Sequence, residues 1–132
     1  MIIGKDFVFD SAHKLLNHEH GEAWNRQMFG KCNDIHGHTY KLRVEIGGGV
    51  STDDGMLMNF VDLKELVNAQ IIDKVDHQFL NDVEIFGGCI CTAENMVRAF
   101  WKILEPKVLE LKCSLHSLTL WETPTSYARM AR

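Results

Sequence analysis

"IHGHTYKLRVEI", residues 35–46, decides the fold. His36, His38, Tyr40, Leu42, Val44 and Ile46 recur at every second position. Successive side chains of a strand point to opposite faces, so this period reads as a β-strand with these six residues on one face. The segment upstream, "KDFVFDSAHKL" (5–15), alternates as well, with Phe7, Phe9, Ser11 and His13 on one parity. It reads as a strand before the first. Residues 16–34 are polar and aperiodic and are expected to form a long loop, a class of segment that often carries function. "GGGVSTDDG" downstream is a turn.

From Phe60 the period changes. Phe60, Leu63, Leu66, Val67 and Ile71 follow helical spacing behind Asn59, a plausible N-cap. "VDHQFLN" and "DVEIFGGCIC" break that helix. A second follows, with Ala93, Met96, Val97, Phe100, Trp101 and Leu104 as its apolar stripe and Thr92 as its cap. Pro106 is expected to bend or end it. "SLHSLTLWE" then reads as a third strand, with Leu118, Leu120 and Glu122 on one parity, and a short fourth strand follows "TPTS". The expected order is ββααββ in a single domain, residues 1–132. The class is α+β: a four-stranded antiparallel sheet with two helices on one face. Such a sheet leaves open edges, which partner subunits commonly cover, so a homo-oligomer is expected.

The bulk composition sets limits. A chain of 132 residues, 45% hydrophobic and 24% charged, buries a core without disulfides. Fourteen basic and eighteen acidic residues leave a net charge of −4, which argues against a general nucleic-acid surface. The N-terminus lacks the pattern of a signal peptide, and no apolar run approaches the ~18 residues of a membrane span. Cys32, Cys89, Cys91 and Cys113 have no framework spacing. A cytoplasmic protein with reduced thiols is expected.

Residues i and i+2 of a strand lie on one face about 7 Å apart. His36 and His38 can therefore converge on one ion. His13 joins them if the two strands pair as neighbours. Three neutral imidazoles with an open fourth position is the pattern of a catalytic zinc site, though imidazole also suits copper, nickel and iron. The competing reading is a pair of hydrogen-bonded or surface histidines. His18 and His20 repeat the spacing in a polar loop without strand period and read as solvated. Cys32 stands four residues before His36. It either completes a closed His₃Cys structural site or serves as a free thiolate beside the metal. Cys89 and Cys91 read as buried small hydrophobes. Asp76 and His77 place a carboxylate beside an imidazole, a pairing that orients proton transfer and also occurs as a helix-end cap. Glu122 is a carboxylate on an apolar parity and needs a partner. A flat ligand with adjacent N–H donors, such as an aminopyrimidinone, satisfies it.

"FDSAHKL", "GKCNDIHGHTYKL", "GMLMNFVDLK", "DHQFLN", "CTAENMVRAFW" and "ETPTS" occur in this order over nearly the whole chain. Together they resemble the 6-pyruvoyl-tetrahydropterin synthase and 6-carboxytetrahydropterin synthase family. The resemblance implies a tunnelling fold, in which subunit sheets join side by side into a barrel of three or six subunits with active sites at the interfaces. It implies Zn²⁺ held by His13, His36 and His38. It implies a catalytic relay of Cys32, Asp76 and His77, with the Asp–His pair supplied by a neighbouring subunit. Glu122 would anchor the pterin and join the relay, and Thr92 and Glu94 would line the pterin pocket. The substrate implied is 7,8-dihydroneopterin triphosphate. The Cys32–His36 spacing and the "ETPTS" ending resemble the bacterial carboxy enzymes, which release acetaldehyde and triphosphate on the way to queuosine and other deazapurines. "MFGKCN" and "GMLMN" also echo the pyruvoyl enzymes, which retain the side chain. Lys14, Lys31 and Arg129 are the candidates for the phosphates. Two other readings stay open: a non-catalytic zinc-stabilised barrel that binds a pterin or purine, and a structural His₃Cys module.

Overall fold

A computed structural model describes all of residues 1–132. Four strands form one antiparallel sheet in the order β1-β2-β3-β4: β1 Ile2–His13, β2 His36–Gly47, β3 Ser114–Thr123 and β4 Ser126–Ala131. β1 and β2 pair along their whole length, from Ile2 opposite Gly47 to His13 opposite His36. The alternation that defines β2 is borne out: Tyr40, Leu42, Val44 and Ile46 are buried to 0% exposure. β3 departs from strict alternation, since Leu115 and Leu118 are both in the core. The cause is a bulge at His116. Ile46 faces Leu115 while Glu45 faces Ser117, and the extra residue resets the parity.

The helices cover one face of the sheet. α2 (Phe60–Val67) continues through a π-turn (Asn68–Ile72) into a short α3 (Asp73–Val75). Asn59 caps α2 by accepting from the Val61 N–H at 2.9 Å. Leu63, Val67 and Ile71 are buried, but Phe60 is 51% exposed and lies outside the expected apolar stripe. α4 (Ala93–Glu110) lays Met96, Val97, Phe100, Leu104 and Val108 on the sheet. Pro106 does not end α4. It sits on the exposed side of the helix, one turn after exposed Lys102, whose carbonyl loses its helical partner. No helix is long and apolar enough to cross a membrane.

The expected loop at 16–34 contains α1 (Glu22–Phe29) and a 3₁₀ turn (Gly30–Asn33), so the order is βαβααββ with the short α3 included in the second helical run. α1 buries only Asn25, and polar bonds rather than an apolar stripe hold it. The Asn25 amide nitrogen donates to the carbonyls of Asn17, His20 and Gly21, and its oxygen accepts the Asn17 N–H at 2.7 Å.

Candidate metal centre and active site

The pairing of β1 with β2 sets His13 directly across from His36, with His38 two residues further along the same face. The ring centres lie 4.6 Å (His13–His36), 5.2 Å (His13–His38) and 5.0 Å (His36–His38) apart. Their ligand nitrogens all lie within 4.8 Å of one another. The His13 Nδ1 is 2.9 Å from the Cys91 carbonyl, and the His36 Nδ1 is 2.7 Å from the Asp34 carbonyl. A carbonyl only accepts, so each Nδ1 carries the hydrogen and each Nε2 keeps its lone pair. The Nε2 atoms of His13 and His38 are buried with no hydrogen-bond partner. Burial is the main cause that lowers the pKa of both rings from 6.5, which favours the neutral form a metal requires. Neutral donors, carbonyl partners that fix the tautomer, and orphaned nitrogens aimed at one point fit a single divalent ion. Gly37, between the two histidines of β2, is not sterically required, since a Cβ there would meet only the Ser11 carbonyl at 3.4 Å, an ordinary contact.

Cys32 stands outside this cluster. It sits exposed on the 3₁₀ turn, whose Cys32 carbonyl accepts the Leu15 N–H at 2.7 Å. Asn33 donates to the Leu15 carbonyl, and Asn81 bonds both backbone groups of Lys14. Asn33 thus ties the cysteine turn, and Asn81 the turn at Leu80–Asp82, to the residues just after β1. Isolated asparagines have no periodic signal, so pattern reading passes over them. Cys91 is fully buried, as expected of a small hydrophobe, and its carbonyl holds His13, a role its side chain does not reveal. His18 and His20 are exposed, as expected, with His20 stacked on Trp24.

Glu122 lies at the end of β3 beside the triad, its Oε1 3.7 Å from the His38 Nε2. His38 is held neutral, so this approach is not an ion pair at pH 7. Glu122, Thr92 and Glu94 line one cavity of about 300 Å³ together with Leu15 and Tyr127. Thr92 also caps α4, accepting the Asn95 N–H at 3.3 Å.

Asp76 and His77 form a pair at the outer edge of β1. The Asp76 carboxylate accepts the Asp10 N–H at 3.0 Å and approaches the His77 Nδ1 at 2.9 Å. The Asp10 N–H first, and His77 next, hold its pKa below 3.8. His77 returns a hydrogen bond from its own N–H to the Asp10 carbonyl and adopts φ +58°, a left-handed backbone unusual for a side-chain-bearing residue. Its ring is 78% exposed. No hydrogen bond or ion pair joins this pair to Cys32 within the chain. Among the phosphate candidates, Lys14 lines a cavity of about 570 Å³ with His20, Arg26 and Asn33. Arg129 instead lies near Glu45, 3.8 Å away, on the strands' polar side.

The profile of 6-pyruvoyl tetrahydropterin synthase matches residues 2–132. A 6-pyruvoyl tetrahydrobiopterin synthase of Dictyostelium discoideum is 37% identical, the match covering 96% of this chain and 93% of the relative. A 6-carboxy-5,6,7,8-tetrahydropterin synthase of Haemophilus influenzae is 35% identical over 95% and 94% of the two chains. The solved 6-pyruvoyl tetrahydropterin synthase of Caenorhabditis elegans superposes with a TM-score of 0.90 at 30% identity, covering 100% of this chain and 95% of that one. The fold is the one expected from the family resemblance, and the chain belongs to the 6-pyruvoyl tetrahydropterin synthase family.

Proposed function

We propose that the protein is a zinc-dependent 6-carboxy-5,6,7,8-tetrahydropterin synthase. Its substrate is 7,8-dihydroneopterin triphosphate, and acetaldehyde and triphosphate are its by-products. The observation that carries this reading is the junction of two sites. The cavity lined by Glu122, Thr92 and Glu94 opens beside the imidazole triad, with Glu122 3.7 Å from His38. A ring anchored by Glu122 would lie with its side chain toward the three imidazoles that would hold the metal. The spacing of Cys32 to His36, the "ETPTS" ending and the Haemophilus relative's name support the carboxy branch. The names of the Dictyostelium and Caenorhabditis relatives favour a second reading, in which triphosphate leaves and the side chain is retained.

Zinc bound by His13, His36 and His38 would supply Lewis acidity to the side-chain hydroxyls of the substrate. The chain's own groups do the rest. Glu122 accepts two ring N–H bonds and fixes the orientation of the pterin. Thr92 and Glu94 close the wall of its pocket. The Cys32 thiolate takes and returns the side-chain proton, and His77, oriented by Asp76, exchanges it. The position of Asp76 and His77 against the outer edge of β1, with the His77 ring exposed, supports a composite site, in which the pair serves the Cys32 of a neighbouring subunit. Exposed Ile2 and Val8 on β1, and Tyr127 and Met130 on β4, support a side-by-side assembly of three or six chains.

The test is incubation of the zinc-loaded protein with 7,8-dihydroneopterin triphosphate, with mass spectrometry of the pterin and an assay for acetaldehyde. Acetaldehyde with 6-carboxytetrahydropterin is the expected result. A retained three-carbon side chain with released triphosphate would move the protein to the pyruvoyl branch. Tight binding of the pterin without turnover would make it a non-catalytic barrel.

A further inference from the structure

Besides the two imidazole nitrogens, one buried side-chain polar atom has no hydrogen-bond partner: the hydroxyl of Tyr40. The whole residue is 0% exposed. Its ring is wedged in place, stacked on Phe9 at 4.9 Å and set edge-on to His38 at 5.5 Å and His13 at 6.0 Å. A buried hydroxyl without an acceptor costs stability, and phenylalanine would fill the same space without that cost. The hydroxyl therefore calls for an acceptor that arrives with the working state of the site.

The sheet register identifies one. The pairing of β2 with β3 ends at Lys41 opposite Trp121, which leaves Tyr40 and Glu122 as the next residues of the two strands, and both flank His38, Tyr40 with ring centres 5.5 Å apart and Glu122 at 3.7 Å from its Nε2. Glu122 lacks a firm partner of its own, since the His38 Nε2 at 3.7 Å is beyond hydrogen-bond reach. Once the Nε2 lone pair is given to a metal, that nitrogen has no hydrogen to offer the carboxylate. The Glu122 side chain is 30% exposed, so water meets it on the cavity side, and Tyr40 holds an unpaired hydroxyl on the core side.

We propose that Tyr40 is a positioning residue: in the metal-loaded protein its hydroxyl donates to the Glu122 carboxylate and aims it into the neighbouring cavity. This rests on the reading above, in which Glu122 anchors the ligand ring. The test is a double-mutant cycle on zinc-loaded protein: wild type, Tyr40→Phe, Glu122→Ala and the double variant, titrated with neopterin as a non-reacting probe, with zinc per chain measured in each. Tyr40→Phe is expected to keep full zinc and to weaken neopterin binding about 3- to 10-fold, the size of one lost hydrogen bond. Glu122→Ala is expected to weaken it further, and Tyr40→Phe to cost nothing more in that background. Unchanged affinity in Tyr40→Phe while Glu122→Ala binds poorly would overturn the role of Tyr40 alone. Equal losses from Tyr40→Phe in both backgrounds would also overturn it, because they would mark a general packing effect. Wild-type affinity in Glu122→Ala would overturn the anchoring role and the proposal with it.

Discussion

Removing the metal should soften the whole domain, because the triad joins the ends of its two longest strands. Without an ion, the Nε2 atoms of His13 and His38 are buried and unpartnered. Each such atom costs about 1–3 kcal/mol, so the pair leaves roughly 2–6 kcal/mol for an ion to recover. Mass action gives a comparable figure: zinc held at about a hundred times its dissociation constant adds about 2.7 kcal/mol. For a chain of this length each kcal/mol moves the melting midpoint by roughly 3–5 °C, so a shift of about 8–14 °C is expected. The assay is a thermal melt of the zinc-loaded protein against the chelated protein, with metal content measured on the same samples. His13→Ala should bind little zinc and show no zinc-dependent shift. Identical melting of loaded and chelated wild type would refute the reasoning. So would one zinc per chain in His13→Ala with an undiminished shift.

Three further outcomes are expected. Cys32→Ala and His77→Ala, each inactive alone, should recover roughly a quarter of wild-type activity when mixed under conditions of subunit exchange, since a ring of equal parts rebuilds that share of sites. No recovery after verified exchange would place both residues of each site within one chain. In chelated protein, His13 and His38 have folded pKa values below their ordinary 6.5, so the unfolded chain takes up protons first. Stability should be full above pH 6.5 and fall as the pH drops below it, and urea melts of His38→Asn should show a shallower fall. Thr92→Ala removes the cap of α4 and should cost about 1 kcal/mol, read as a lower urea midpoint at unchanged slope.

Much of the fold was legible because it rests on local periods. The two-residue alternation of β2 identifies the strand, its buried face and the two histidines that join His13 in the cluster together. β1 carries the same signal, and α4 follows its apolar stripe. The misses have physical causes. α1 is held by the buried amide of Asn25 rather than by an apolar face, so it has no stripe to read. Phe60 keeps helical spacing but precedes the turn that reaches the core. Pro106 removes a bond on a wetted side, where the helix tolerates the loss. The bulge at His116 depends on the partner strand's register and leaves no mark on composition.

The site divides along the same line. The histidine triad follows from two adjacent strands and their parity, so spacing suffices to find it. Glu122 follows from a parity carried to a strand end. Gathering Thr92 and Glu94 with Glu122 requires the N-terminus of α4 to reach the end of β3, which is a tertiary fact. The carbonyl of Cys91 and the hydroxyl of Tyr40 act through atoms that a sequence pattern does not distinguish from core packing. Asp76 and His77 are legible as a pair, but the composite site proposed for them would be a property of an assembly, which one chain's sequence pattern does not display.

The most direct test of the central claim is a turnover assay with 7,8-dihydroneopterin triphosphate on zinc-loaded Cys32→Ala, with zinc per chain measured on the same sample. The thiol stands outside the cluster of three imidazoles. The account therefore predicts full zinc occupancy, a wild-type melting temperature and no turnover. Lost zinc with a weakened fold would make Cys32 the fourth ligand of a structural site, and unchanged turnover would remove it from the chemistry.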